Sequence, residues 1–244
     1  GEKRRNQDIW VNGGALGDDR RLTFDQAADH GIQWSPDGAW IYFASGRKRP
    51  GEKKAPWNGK GQVWRIPSQG GQAQPLTRVK GGIAAYELAG DGASLYYSTT
   101  RELREEDPWA SLRSQFKGLV YGHGVHKVSQ LWRLDLKTWR TKLLVDEDRV
   151  IYSFAVAPDE SRVAMLTTPT PELVTREGWS QLDVWEAAGS APLKDEEPSL
   201  PGRVLRIPDG LWRAEAPSPY GWMIAPAWSS DGKRLAFRVD FDGY

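Results

Sequence analysis

The chain has 244 residues, with 33 Lys plus Arg against 32 Asp plus Glu, so its formal net charge is +1. This balance, with no stripe of basic residues, argues against nucleic acid as a partner. The absence of cysteine excludes disulfides and thiolate metal sites. No apolar run reaches the roughly 20 residues that a membrane-spanning helix needs.

Short strands separated by polar turns are predicted along the whole chain. The first two are Asp8–Asn12 and Arg21–Phe24. The next three groups have four strands each: Gly31–Trp34, Ala39–Ala44, Gly61–Pro67 and Gln74–Val79; Ile83–Leu88, Ser94–Thr99, Ser129–Leu136 and Lys142–Val145; Ile151–Val156, Arg162–Thr168, Gln181–Ala187 and Arg203–Ile207. The last two are Met223–Trp228 and Arg234–Asp240.

Two short motifs recur in step along these strands. The first is a polar turn that leads into an apolar strand, and its aspartates are Asp37, Asp91, Asp159 and Asp231. The second is a triplet that ends in tryptophan, at Trp10, Trp64, Trp132 and Trp185. Since both motifs keep step through variable insertions, one structural unit has been copied along the chain. Repeats of about 40–50 residues, each with several strands, are typical of β-propeller blades.

The repeats predict an all-β fold, a β-propeller of four-stranded antiparallel blades. Whole blades are predicted at 29–80, 81–148 and 149–210, and half-blades at 1–28 and 211–244. The two halves could combine to close a four-bladed ring, which would remove both sheet edges. The chain could instead be an incomplete portion of a larger propeller. We favour the second arrangement because Asp240–Tyr244 has the pattern of the middle of a hairpin.

Two insertions separate second strands from third strands, at Arg101–Val128 and Pro169–Trp179. The longer insertion contains Asp107 followed by Pro108, which predicts the start of a short helix with Asp as the N-cap. Loops of this kind often carry binding residues, because the scaffold strands hold their ends in place. The four repeated tryptophans are instead predicted to pack structurally, which leaves Trp57, Trp109 and Trp139 as better candidates for contacts.

The turn and strand repeats resemble TolB-like, WD40-like propeller blades of bacterial extracytoplasmic proteins. A longer pattern is similar to the N-terminal propeller of prolyl oligopeptidase-family serine peptidases, the group of dipeptidyl peptidase IV and acylaminoacyl peptidase. It consists of Asp107-Pro-Trp109, Tyr121-Gly-His-Gly124, Ser129–Leu136, Phe154–Asp159 and Glu177-Gly-Trp-Ser180. The resemblance covers essentially the whole chain. It implies a C-terminal α/β-hydrolase domain in the parent chain, a peptide substrate, and an extracytoplasmic or periplasmic location.

No catalytic residue can be carried over from that family. Its nucleophile lies in a G-x-S-x-G turn, whereas Gly178-Trp-Ser-Gln-Leu182 has leucine in place of the second glycine. The resemblance therefore implies a non-catalytic propeller portion of a peptidase, which gates and contacts peptide substrate. The alternative is a TolB-like protein-interaction propeller without enzymatic activity. A third possibility, an enzyme with chemistry in the propeller channel, lacks an assembled set of catalytic residues.

The candidate substrate-contact residues are Glu105, Glu106 and Trp109. Dipeptidyl peptidases of the resembling family hold the substrate amine with a glutamate pair from a propeller insertion, and Glu105 and Glu106 lie in such an insertion. The surrounding residues differ from that family's motif, and Arg104 precedes the pair. The alternative interpretation is a solvated charge run at a helix start.

We predict no metal site and no cofactor. His123 and His126 are three residues apart, but neighbouring glycines indicate a loop and no third ligand lies nearby. Asp240-Phe-Asp-Gly243 has the start of a calcium loop without its later ligands. It is interpreted as a turn at a strand end.

Overall fold

The structure is a computed structural model, and it describes residues 7–14, 17–104, 115, 125–168, 180–187, 202–211 and 222–240. Within these ranges the chain forms sixteen β-strands. In chain order they are β1 Trp10–Asn12, β2 Asp19–Arg21, β3 Asp29–Trp34, β4 Trp40–Ser45, β5 Gln62–Pro67, β6 Gln74–Pro75, β7 Ala85–Leu88, β8 Ser94–Arg104, β9 Val125–Asp135, β10 Thr141–Val145, β11 Ile151–Val156, β12 Arg162–Thr167, β13 Gln181–Ala187, β14 Gly202–Arg206, β15 Trp222–Trp228 and β16 Leu235–Asp240. None of the described residues forms a helix long and apolar enough to cross a bilayer.

The strands of the described ranges form three four-stranded sheets and two two-stranded sheets. The sheet orders are β3-β4-β5-β6, β7-β8-β9-β10, β11-β12-β13-β14, β1-β2 and β15-β16. Strands that follow one another along the chain are neighbours in every sheet, so each sheet is a meander. The prediction of an all-β fold with three whole blades and two half-blades is confirmed.

The second strand of a blade is apolar on both faces and is buried accordingly. In β4 every residue after Trp40 is buried, and in β12 every residue after Arg162 is buried. A strand without a polar face must be covered on both sides, as happens when sheets pack face to face. These strands therefore lie in the interior of their units.

The repeated aspartate turns connect the first strand of a blade to the second. In the first copy Ser35 Oγ donates to the Asp37 carboxylate at 2.6 Å, and Asp37 accepts from the Ala39 N–H at 3.0 Å. Gly38 follows with a φ of 68°, in the left-handed region that glycine tolerates best. We call this end of a sheet the turn end. The opposite end, where the second strand leads to the third, is the loop end.

The chain divides into two compact units. The first comprises Gly1–Thr99 and Asp135–Thr138, and the second comprises Thr100–Leu134 and Trp139–Tyr244. In each unit a half-blade packs on a whole blade through a shared apolar cluster. The cluster of the first unit is Ile9, Leu22, Ile41, Phe43, Trp64 and Ile66. The cluster of the second is Ala164, Leu166, Leu182, Val184 and Met223.

Several strand boundaries differ from the sequence prediction. β2 covers Asp19–Arg21 and therefore begins earlier than predicted. β6 ends at Pro75, earlier than predicted, because the Val63 N–H donates to Thr77 Oγ1 at 2.9 Å and not to a backbone carbonyl. Further along, the Gln62 side chain bonds the N–H and C=O of Val79, at 2.9 and 2.7 Å. β8 and β9 are longer than predicted, with 11 residues each. The predicted helix after Asp107 lies outside the described residues.

The four repeated tryptophans all lie on the third strand of a blade or half-blade, but not all at one position. The backbone carbonyls of Ile9, Val63 and Leu182 occupy the same place in their sheets. Each accepts a hydrogen bond from the N–H of the residue that directly follows the fourth strand. The residues that follow them, Trp10, Trp64 and Asp183, are therefore equivalent.

Trp185 is therefore displaced by two residues from the position that the repeat predicts. A two-residue shift keeps a side chain on the same face of a strand, so Trp185 is still buried. The position of the fully buried Trp64 is taken in this blade by Asp183, which is 1% exposed. A buried carboxylate needs partners to neutralise it.

Candidate functional site

The candidate site is the loop end of the second unit, at the base of the longer insertion. The predicted contact residues Glu105, Glu106 and Trp109 lie outside the described residues, as does His123. The two strands that carry their insertion, β8 and β9, are described and extend to Arg104 and from Val125.

Arg101 holds β8 to the loop between β10 and β11. Its Nε donates to Asp146 Oδ1 at 2.6 Å, and its Nη2 donates to Asp148 Oδ1 at 2.7 Å. The hydrogen bonds to Asp146 and then to Asp148 raise the pKa of Arg101 above its usual value. A guanidinium that donates to two carboxylates is held in one orientation, and its charge is balanced as well. The base of the insertion therefore has a defined position against this loop.

Asp183 is the centre of a second, buried charge cluster. Arg149, from the same β10–β11 loop, donates to Asp183 Oδ2 and to Glu147. Arg206 Nε donates to Asp183 Oδ1 at 2.6 Å, and Thr167 Oγ1 donates to Oδ2 at 2.5 Å. Both carboxylate oxygens are therefore satisfied, which is the condition for burying such a charge.

The loop end of the first unit also has a buried ion pair, built from different residues. Arg47 Nη2 lies 3.3 Å from Asp29 Oδ2. Its guanidinium lies 5.1 Å from the ring centre of Phe43 and 5.0 Å from that of Trp64. The arginine thus packs against the aromatic ring that Asp183 replaces in the second unit.

Ser180, the serine of the incomplete G-x-S-x-G pattern, has a structural contact. Its side chain is buried, and Oγ accepts a hydrogen bond from the Met223 N–H at 2.9 Å. Ser129, at the corresponding place in the preceding sheet, accepts from the Ile151 N–H at 2.9 Å. Both serines therefore tie a third strand, or the residue before it, to the first strand of the next blade. Sequence reasoning missed this role, because Ser129 directly precedes the triplet of Trp132 whereas Gln181 and Leu182 separate Ser180 from the triplet of Trp185.

The remaining sequence candidates are arranged as follows. Trp57 packs on Trp64 with ring centres 4.8 Å apart, and Arg49 lies 3.5 Å over the Trp57 ring centre. Trp139 is half exposed and has a positive φ of 59°. Residues 241–243 of the predicted strand-end turn lie outside the described residues, and so does the side chain of His126. Among the described residues no group of three potential metal ligands is close enough to hold an ion.

Solved structures of known proteins have a similar fold. TolB from Acinetobacter baumannii matches 97% of the chain at 14% identity, with a TM-score of 0.54. The fold is that of a TolB-like β-propeller. Acylaminoacyl peptidase from Pyrococcus horikoshii matches 97% of the chain at 12% identity, also with a TM-score of 0.54. An oligogalacturonate lyase in complex with manganese matches 96% at 13% identity, with the same TM-score.

The chain spans only part of each of these proteins: 44% of the TolB, 31% of the acylaminoacyl peptidase and 53% of the lyase. No protein-family model matches the sequence, and no curated protein matches it. At this identity the comparisons establish the fold, which TolB, the peptidase and the lyase have in common. Function therefore has to be argued from sites on the fold.

Proposed function

We propose that the chain is the non-catalytic propeller portion of a prolyl oligopeptidase-family serine peptidase, which gates and contacts peptide substrate. The observation that carries the proposal is that the base of the Arg101–Val128 insertion is held in a defined position. Two 11-residue strands carry this insertion, and Arg101 holds it to the neighbouring loop through two carboxylates. A rigid base lets a loop present contact residues at a reproducible position.

In this proposal Glu105 and Glu106 bind the free amino group of the substrate, and Trp109 contacts its side chains. An ammonium group donates three hydrogen bonds, and two carboxylates can accept them as charge-assisted bonds. The catalytic serine, aspartate and histidine would belong to a hydrolase domain of the parent chain. The propeller's own contribution is then to orient the peptide and to restrict which substrates reach that domain.

The decisive experiment uses the full-length parent protein with Glu105→Gln and Glu106→Gln. We expect KM for peptides with a free amino terminus to rise about tenfold or more, with little change for peptides with a blocked terminus. Glu102→Gln is the matched control, because Glu102 is an exposed glutamate on β8 at the base of the same insertion. Equal changes for both peptides, or the same change in the control, would contradict the proposed contact.

The second candidate is a TolB-like protein-interaction propeller without enzymatic activity. It rests on the TolB-like fold of the chain, which is compatible with both candidates. The two candidates differ in whether the full-length protein carries a reactive serine. Stoichiometric labelling of the full-length protein by a serine-directed fluorophosphonate is expected for the peptidase. No labelling would select the interaction propeller.

A further inference from the structure

A group of exposed basic side chains lies at the loop end of the first unit. It comes from two segments, residues 46–61 between β4 and β5 and residues 76–84 between β6 and β7. We call these segments the basic loop pair. Its exposed cations are Lys48, Arg49, Lys53, Lys54, Lys60, Arg78 and Lys80. Glu52 is the single acidic residue in the two segments.

Backbone contacts hold the two segments side by side. Asn58 Nδ2 donates to the Lys80 carbonyl at 3.1 Å. The Ile83 N–H donates to the Gly61 carbonyl at 2.8 Å. The pairing brings together charges that are up to 32 residues apart in the sequence, because it adds Arg78 and Lys80 to the cations of residues 48–60.

The longer segment is internally well connected. Lys48 and Asn58 form a β-bridge. The Arg49 N–H donates to the Trp57 carbonyl at 3.3 Å, and the Trp57 N–H donates to the Lys54 carbonyl at 3.0 Å. The Trp57 ring, held between Arg49 and Trp64, anchors the loop to the sheet. Because the loop is ordered in advance, a partner would lose little binding free energy to loop ordering.

None of the seven exposed cations forms an ion pair with another described residue. Arg47, in the same loop, is buried and paired with Asp29. The surface therefore keeps a local excess of positive charge, which disfavours the folded state through self-repulsion. It also attracts anionic ligands and accelerates their association.

A recess with polar and apolar lining residues lies next to these charges. It has a volume of about 460 Å³ and is lined by Phe24, Asp25, Gln26, Ala27, Gly46, Lys48 and Pro50. Phe24 is 71% exposed, which is high for so large an apolar side chain. The volume falls within the ~300–1,000 Å³ typical of ligand sites. Arg21 lies over one face of the Phe24 ring, 4.7 Å from its centre; the rest of this exposed ring and Pro50 offer contacts to an apolar side chain of a ligand.

The recess and the charges together favour a peptide over a nucleic acid. Trp57 is covered on one side by Arg49 and packs on Trp64, so its faces do not provide a free stacking platform for a base. Asp25 lies on the recess and not among the exposed cations, so a ligand fits both features when its apolar side chain enters the recess and its anionic groups stay beside the lysines, a spacing that a peptide side chain provides. The lysines are mobile point charges suited to carboxylates at varied positions.

We infer that the basic loop pair and the Phe24 recess bind an acidic peptide segment that carries an apolar side chain. The carboxylates pair with lysines such as Lys53 and Lys54, and the apolar side chain enters the recess beside Phe24. This binding does not depend on a hydrolase domain, so it holds for either candidate function. Failure of the glutamate experiment on the longer insertion would leave it unchanged.

The test measures binding of fluorescent peptides to the chain by anisotropy. The first peptide is a heptamer of Glu and Asp with a central Phe, the second has Gln and Asn in place of the acids, and the third has Ala in place of Phe. We expect binding of the first peptide to weaken as salt rises. The second peptide should bind at least about tenfold more weakly, and the third about threefold to tenfold more weakly.

Two double variants with the same charge change separate a local site from general attraction. Lys53→Glu with Lys54→Glu should raise the Kd of the first peptide about tenfold or more. Lys137→Glu with Lys142→Glu, at exposed lysines of other segments, should change it less than about twofold. Phe24→Ala should remove the preference for Phe over Ala in the peptide. Equal effects of the two double variants would overturn the inference.

Two further ligands test the class of partner. A single-stranded oligonucleotide of equal charge and vesicles containing anionic lipid are measured under the same conditions. Weaker binding of both than of the acidic peptide supports the inference. Binding of either at least as tight as that of the peptide, with the same loss on Lys53→Glu and Lys54→Glu, would overturn it in favour of that ligand.

Discussion

At the scale of single residues, Asp183 shows how one substitution changes the character of a blade. In the first unit the equivalent position is Trp64, which packs among apolar residues and donates Nε1–H to the Ser45 carbonyl at 3.1 Å. In the second unit the aspartate requires Arg149 and Arg206 as partners. The same backbone position therefore supports an aromatic core in one blade and a charged cluster in another.

We predict that Asp183→Asn destabilises the chain. The substitution leaves Arg149 and Arg206 without their shared anion, but Arg206 is half exposed and Arg149 keeps Glu147, so the expected loss is below the roughly 3–5 kcal/mol of a fully buried pair. Glu186→Gln is the control on the same strand, because its pairing with Arg203 at 3.3 Å is on the surface and such pairs contribute about 0–1 kcal/mol. Urea unfolding gives the free energy of unfolding of both variants. Equal losses of that free energy would contradict the buried-cluster interpretation.

A second residue-scale prediction concerns Ser180. Ser180→Ala leaves the Met223 N–H without its acceptor in a buried position, which costs about 1–3 kcal/mol. Ser161→Ala removes a hydroxyl whose bond to Asp159 is exposed, and the expected cost is below about 1 kcal/mol. Chemical denaturation of both variants compares them. If Ser180→Ala lowers the free energy of unfolding no more than Ser161→Ala does, the hydrogen bond between the blades contributes little to stability.

At the scale of elements, β8 and β9 are the strands that depart most from their sequence prediction. Thr100–Arg104 has mostly polar residues, so composition alone indicated a loop. Pairing and the contacts of Arg101 with Asp146 and Asp148 keep this segment extended. Strand length is set here by partners distant in sequence, and single-sequence propensity does not report them.

We predict that Arg101→Met loosens the β10–β11 loop without unfolding the sheet. The variant keeps an apolar stem but removes the charges that hold Asp146 and Asp148. Amide hydrogen exchange should become faster at residues 146–150 and remain unchanged in β11–β14. Arg203→Met, which removes an exposed surface pair, is the control. Unchanged exchange in the loop would mean that backbone contacts alone hold it.

The sequence predicted elements better than it predicted the site. Turn chemistry at Asp37 and its copies is local, so the motifs located the strands correctly. The two-residue displacement of Trp185 could not be seen in the sequence, because the triplets have similar residues. The register of the strand is set by its hydrogen bonds to neighbouring strands, which the triplets do not report. The cations of residues 48–60 were visible in the sequence, but their proximity to Arg78 and Lys80 was not, since it depends on the pairing of two separate segments.

At the scale of the whole molecule, the copied turns give the chain a shared response to acid. In Asp37, Asp159 and Asp231 a serine hydroxyl is the main cause of a lowered carboxyl pKa, and a backbone N–H adds to it. A carboxyl whose pKa is lower in the folded state stabilises folding above its unfolded pKa. That stabilisation is lost as the pH falls through the folded pKa.

We therefore predict that the stability of the chain declines below pH about 4, near the ordinary aspartate pKa of 3.8. The combined variant Asp37→Asn, Asp159→Asn and Asp231→Asn should have a flatter decline, since an amide does not titrate but can still accept the backbone bond. The measurement is the urea midpoint at several pH values between about 2 and 7. A decline as steep in the variant as in the original chain would contradict the prediction.

The displaced register of β13 also has a consequence for recombining blades between related propellers. A crossover chosen by aligning the Trp64 and Trp185 triplets would be out of step by two residues. A chimera built in that way would put an indole where Arg149 and Arg206 require an anion. The pattern of apolar residues would not reveal the error, because a shift of two residues keeps each side chain on the same face of the strand. Hybrid propellers from this chain should therefore be joined by matching the backbone carbonyls of Val63 and Leu182, which occupy the same place in the two sheets.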